Sequence, residues 1–297
     1  MPVYKYLQPE RLDVIRDARI RFTQPNALND PFEMKPFFKT IFNMDTFSER
    51  IRRQMDFRPV LLEKYEQMPR EVRKKFTSEQ FMQLALGHME KNKDQYDALF
   101  ESSVDEMRAA MPALSEKLRA LLHGHLGREV GILSLSEAPT NDLMWAHYAG
   151  DHAGFLIEFD EANDFFHCQR SEKDEFFHLR KVSYIDKRLN FESLEQLIDD
   201  ENELFVSKIN SWAYEKEWRM LVPLLNRVPE INDVEPVHLF SFPREAVRSV
   251  IFGCKSSVKL RNDVSAILDG DTAYSKVRKF ITFIDLEHGD IATKPYS

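Results

Sequence analysis

Glycine is scarce in this 297-residue chain, with nine residues, where average usage of roughly 7% would supply about twice that number. The shortage disfavours folds that cradle phosphates in glycine-rich loops, and neither GxGxxG nor GxxxxGK(S/T) occurs. Cysteine is scarcer still. Cys168 and Cys254 are the only two and have no CxxC spacing, which excludes a disulfide framework and suits a reducing cytosol. Positive charge is not in excess: 41 Lys and Arg stand against 49 Asp and Glu, a net charge of −8. A chain-wide nucleic-acid or anionic-membrane surface is therefore disfavoured, although a local basic patch is not. No apolar run approaches the ~18 residues of a membrane helix, and the opening MPVYKYLQPE lacks the basic and apolar regions of a signal peptide. The expectation is a cytoplasmic protein without a membrane partner. What the chain does have is 43% hydrophobic content and 23 Phe, enough for one large core or two small ones.

Patterning predicts strands at Val3–Leu7 and Arg19–Thr23, with a helix over Pro9–Asp17 between them. Pro25 and Pro31 then bracket an extended loop. From about residue 45 to about residue 127 the texture becomes charged and helical. Thr77–Gln80 reads as a capping box, and Pro112 suits the first position of a helix in which Leu114, Leu118, Leu121 and Leu122 recur on one face. Strand-like runs return at Gly131–Ser136 and Gly154–Phe159, separated by a short helix with Trp145, His147 and Tyr148. Further candidates are Arg219–Pro223, Val237–Phe242, Ser249–Phe252 and Phe280–Leu286. Strands and helices without βαβ alternation predict an α+β fold: one domain over 1–297, a mixed or antiparallel sheet core, and 45–127 as a helical insertion.

Three blocks concentrate polar and aromatic residues: NALNDPFE (Asn26–Glu33), NDLMWAHYAGDHAGFLIEFD (Asn141–Asp160) and WAYEKEWR (Trp212–Arg219). Together with LSLSE ahead of the second, they resemble a bacterial family known as domain of unknown function 2971. The likeness spans 3–35, 131–160 and 205–255 and leaves the helical stretch outside. It implies an architecture and a candidate site, with no settled reaction.

The motif order is also similar to that of ADP-ribosyltransferases: Arg on an early strand (Arg21), Ser-x-Ser on a middle strand (Ser134, Ser136), then Glu-x-Glu before a later strand (Glu215, Glu217). That likeness implies NAD as substrate, a protein or nucleic-acid acceptor, and a toxin or phage-defence role. Glu217 would stabilise an oxocarbenium-like centre. Glu215, two residues earlier and pointing away, would work on the acceptor. Arg21 would fork onto pyrophosphate, and Tyr148 or Trp145 would stack on nicotinamide. Asn29, Ser136, His147 and Arg219 complete the candidate binding set.

Plain structural roles stand beside these. Trp145 and Trp218 suit core anchors, Glu215–Arg219 an ion-pair cluster, Ser134 and Ser136 backbone ties at a strand end, and Asn29–Asp30–Pro31 a turn. His123, His125, His147 and His152 lack ligand spacing, so metal binding through histidine is not expected. Two further classes remain: a nucleotide hydrolase or nuclease holding a divalent ion through Asp30, Glu33, Glu158 and Asp160, and a non-catalytic module whose aromatic cleft binds a ligand or protein.

Overall fold

A computed structural model of the chain describes residues 1–172, 174–199, 201–224, 230–231 and 236–296. In chain order its elements are β1 (Pro2–Leu7), α1 (Asp13–Asp17), β2 (Arg19–Phe22), β3 (Phe37–Thr40), α2 (Met44–Gln54), α3 (Arg58–Glu66), α4 (Arg70–Arg73), α5 (Ser78–Lys91), α6 (Lys93–Glu129), β4 (Val130–Ser136) and α7 (Asp142–Tyr148). There follow β5 (Phe155–Asp160), β6 (Leu179–Lys181), β7 (Ser183–Ile185), β8 (Asn190–Ser193), α8 (Leu194–Asp199), α9 (Glu201–Val206), β9 (Ser207–Ile209) and β10 (Glu217–Pro223). The chain closes with β11 (Glu230–Ile231), β12 (Pro236–Ser241), β13 (Val247–Phe252), α10 (Val258–Gly270), β14 (Arg278–Asp285) and β15 (Asp290–Pro295). The fold is α+β.

Two compact units divide the chain: residues 1–36, 121–189 and 200–297 form the first, and 37–120 with 190–199 the second. The first is built on an eight-stranded sheet in the order β15-β14-β13-β5-β1-β4-β10-β6. Its pairings are antiparallel except β13 with β14, so the sheet is mixed. One face packs Val3, Leu7, Phe155, Ile157, Phe159, Val250 and Phe252 against α1 and α10, whose Val14, Ile15, Leu260 and Val264 are buried. The other face carries Tyr4, Tyr6, Leu156 and Ile251 beneath Met144 and Trp145 of α7. Period-2 alternation in β1 sorts VYKYL between the two faces. Gly154 fixes the turn from α7 into β5: a Cβ there would lie 2.1 Å from the Leu7 carbonyl oxygen, so only glycine allows that approach.

In the second unit β3 pairs in parallel with β8, and Met44, Val104 and Met111 form a small buried cluster. Asn43 caps α2 through the amides of Asp45 and Thr46. The capping box at Thr77 and Gln80 forms as the sequence predicts. Pro112 differs. It sits inside the 37-residue α6 rather than opening a helix, so the helix forgoes one backbone hydrogen bond at that point. The alternation of β10 also begins earlier than predicted, and Glu217 is its first residue.

Candidate functional site

The sheet of the first unit is nearly parted at its centre. β5 pairs with β1 over six residues and β10 with β4 over seven, whereas β1 and β4 share the single register pair Tyr4 and Ser136. Further along, β4 has left β1: Thr23 and Ile132 exchange both backbone hydrogen bonds at 2.8 Å. Between the two contacts the Ser134 carbonyl accepts from the Lys5 ammonium at 2.9 Å. A side chain thus satisfies a group that a ladder would have paired.

A cavity of about 190 Å³ occupies the parting. Tyr4, Lys5 and Tyr6 of β1, Ser134 and Ser136 of β4, Thr23, Asn29, Tyr148, Lys208, Glu215 and Glu217 line it, and no lining residue comes from 45–127. A larger cavity, about 490 Å³, belongs to the helical unit, where Met55, Phe57, Leu86, Met89, Leu99 and Phe100 wall it. Arg52, Glu90, Lys93 and Asp97 also line it, but the smaller cavity brings buried Lys208, Glu215 and Glu217 together with Lys5, three tyrosines and two serines, the denser convergence of polar groups.

An ionic network forms the floor. Lys208 Nζ reaches Glu215 Oε2 at 2.6 Å and Glu217 Oε2 at 3.0 Å, with Glu33 Oε2 at 3.7 Å. Arg219 forks onto Glu217, Nε to Oε1 at 2.9 Å and Nη2 to Oε2 at 3.0 Å. It also pairs with Glu33 and donates to the Phe205 carbonyl at 3.1 Å. All five side chains are buried. Three carboxylates against two cations leave one negative charge in excess. Burial opposes the charge on Lys208, but Glu217 and Glu215 outweigh it and raise its pKa. Burial raises the Glu217 carboxyl above its ordinary range, opposed by Lys208 and reinforced by Glu215. A charge this deep persists only with such partners.

Glu215 and Glu217 do not point apart as strand alternation predicts. Lys216 adopts a left-handed backbone, φ 44°, after the 3-10 turn over Asn210–Glu215, and the reversal brings both carboxylates onto one ammonium. The remaining Glu215 oxygen, Oε1, accepts from the Tyr148 hydroxyl at 2.5 Å, and Asn29 Nδ2 donates to that hydroxyl at 3.0 Å. Burial and the bond to Glu215 raise the Tyr148 pKa. The Ser136 hydroxyl donates to the Glu215 carbonyl at 2.5 Å, closing the turn over the cavity.

The cavity opens on one end of a polar row. Glu217, Ser136, Tyr4, Glu158, Ser249 and Arg278 stand directly opposite one another across six strands, and opposed residues share a face. Ser249 donates to Glu158. Burial, then the Glu158 charge, pushes Tyr4 up to about 12, so its hydroxyl stays a donor.

The structure brings together Asn29, Ser136, Tyr148, Glu215 and Glu217 of the predicted site. Trp145 lies apart, fully buried, its indole N–H donating to the Pro139 carbonyl at 2.8 Å and its edge against Tyr6, which leaves no face for a ligand. Arg219 is fully buried beneath the cavity. His147 is exposed and edge-on to Tyr148 at 6.3 Å. Arg21 is on β2, two residues before the lining Thr23, and is close enough to bear electrostatically on Lys5. Asp30, Glu33, Glu158 and Asp160 are each engaged with Arg188, Arg219, Ser249 and Arg248 respectively. Among the described residues no cluster of three His, Cys, Asp or Glu is placed for a metal ion, and no helix is long and apolar enough to cross a membrane.

Tyr4, Lys5, Tyr6 and Lys208 belong to the site without having been singled out from the sequence, and Glu33, considered there as a ligand of a divalent ion, joins the ionic floor instead. The alternation Tyr-Lys-Tyr in a strand was their one signal, since a lysine between two aromatics is unusual for a central strand. Lys208 carries no local signal at all.

No curated protein and no solved structure matches the chain. The model of the family described as Protein of unknown function (DUF2971) matches residues 144–220, so the stretch that supplies Tyr148, Lys208, Glu215, Glu217 and Arg219 is similar to that family.

Proposed function

We propose that the cavity in the parted sheet is a nucleotide site whose first substrate is NAD, with cleavage of the nicotinamide–ribose bond in the manner of an ADP-ribosyltransferase. The observation that carries the reading is the convergence of Glu215 and Glu217 with three tyrosines on one recess at the centre of the sheet. Tyr4, Tyr6 and Tyr148 offer flat surfaces to the nicotinamide ring. The excess negative charge on the floor stabilises the positive charge that develops at the ribose carbon as the bond breaks, and its fixed partners mean that it need not reorganise during the reaction. Tyr148 and Asn29 hold Glu215 in place, and Glu215 takes the proton from an incoming hydroxyl of an acceptor or water. Lys5 lines the recess and Arg21 stands two residues before the lining Thr23; these two cations suit the pyrophosphate. A toxin or phage-defence role is the biological setting such chemistry fits.

Incubating purified protein with NAD and following free nicotinamide tests the reading. Release by wild type that falls roughly a hundredfold in Glu215→Gln supports it. A second reading, a binding module without catalysis, has its own observation: Arg219 and Lys208 engage both oxygens of Glu217, which is how a structural carboxylate is held. Saturable NAD binding with no nicotinamide release, with or without protein and nucleic-acid acceptors, selects that second reading.

A further inference from the structure

Two lysines face the cavity, and their surroundings differ. Lys208 is clamped among three carboxylates and is held as an ammonium. Lys5 donates to a backbone carbonyl, Ser134 O, and has no carboxylate within ion-pair distance among the described residues. It is anchored on β1, the central strand with six register pairs to β5, so its backbone is fixed, and its side chain spans the parting between β1 and β4 to reach the Ser134 carbonyl beside the recess it lines.

We propose that Lys5 is a nucleophile that condenses with the carbonyl group of a small aldehyde or ketone ligand to form an imine. The aromatic neighbours Tyr4, Tyr6 and Tyr148 suit a flat or sugar-like body on that ligand. In the reaction the Nζ lone pair attacks the carbonyl carbon and a C–N bond forms as the C=O bond opens. The oxygen collects both amine protons and leaves as water, giving C=N. Tyr4, kept protonated beside Glu158, is a hydroxyl donor that can polarise the carbonyl.

The charged groups acting on Lys5 agree with this role. Burial is the largest influence and favours the neutral amine, Glu217 from β10 opposes it, and Arg11 and Arg21 add to it, so Lys5 is pushed down to about 8. Desolvation beside other cations is a recognised way to make a lysine nucleophilic near neutral pH.

The test uses the full-length protein, pyridoxal as the aldehyde probe and sodium cyanoborohydride to reduce and fix any imine, with peptide mapping of the modified lysines. At pH 7.5 Lys5 is expected to label faster than surface lysines by on the order of tenfold or more, because a larger fraction of it is neutral. Its labelling rate should rise with pH to a midpoint near about 8 rather than the roughly 10.4 of an ordinary lysine. Lys5→Arg keeps the charge and should abolish the fast adduct while leaving thermal unfolding unchanged. Labelling of Lys5 no faster than surface lysines in folded protein, an ordinary lysine pH profile, or preferential labelling of Lys208 would overturn the proposal. The inference uses the same recess as the NAD reading, in which Lys5 serves as a cation toward pyrophosphate and not as a nucleophile; adduct formation at Lys5 and nicotinamide release are separate readouts, so each can succeed or fail without the other.

Discussion

Arg219 concentrates the energetics of the site in one side chain. Its guanidinium has no exposed surface and serves two carboxylates and a backbone carbonyl. Arg219→Met would leave Glu33 and Glu217 buried without that partner, and breaking a buried pair from one side costs about 3–5 kcal/mol; urea unfolding should show the loss as a lowered midpoint. An unchanged midpoint would mean that water reaches this network. Glu217→Gln should lower stability as well, because the amide cannot accept the fork and the Lys208 bond together. Glu215→Gln is the cleaner functional variant, since Glu215 bonds one cation at 2.6 Å rather than two. Tyr148→Phe keeps the ring but removes the 2.5 Å bond to Glu215. Nicotinamide release should fall while affinity for NAD, measured calorimetrically, stays within a few-fold; loss of affinity instead would make Tyr148 a binding group alone.

Two positions test the elements themselves. Pro112 is exposed and lies in the interior of α6, where proline is less favourable than alanine by roughly 3 kcal/mol. Pro112→Ala should therefore raise the thermal midpoint; a lowered midpoint would show that a bend at Pro112 is needed by its neighbours. Gly154→Ala has the opposite expectation. Its Cβ would collide with the carbonyls of Leu7 and Ala149 at 2.1 and 2.9 Å, so β1 and β5 must separate, and stability should fall by more than the ~1 kcal/mol of a typical substitution. Elements of this kind were legible to different degrees. The β1, β4 and β5 runs and the Thr77 cap follow from local alternation and capping chemistry. The short strands β3, β6, β7, β8 and β9, three or four residues each, did not show, because so few residues cannot display a period and their pairing is set by distant chain.

For the molecule as a whole, the site joins β1 at the N-terminus, the Asn29 loop, β4, α7 and the 208–217 segment, which are remote in sequence. The three polar blocks marked most of these places. They could not reveal which members face the recess: Trp145 and Arg219 read as well as Tyr148 and Glu215, yet the first two are structural supports. Nor could they reveal Lys208, whose meaning depends on a left-handed Lys216 turning two carboxylates toward it. What the fold adds is the parting of β1 from β4, a three-dimensional property that no single strand encodes.

The claim that this parting is a reaction site for NAD is tested most directly by chromatographic measurement of nicotinamide released by wild-type protein and by Glu215→Gln. The account predicts release by the wild type and a roughly hundredfold slower release by the variant, with both proteins folded by thermal melt. Wild-type release that Glu215→Gln leaves unchanged, or no release by folded wild type with any acceptor, would contradict it.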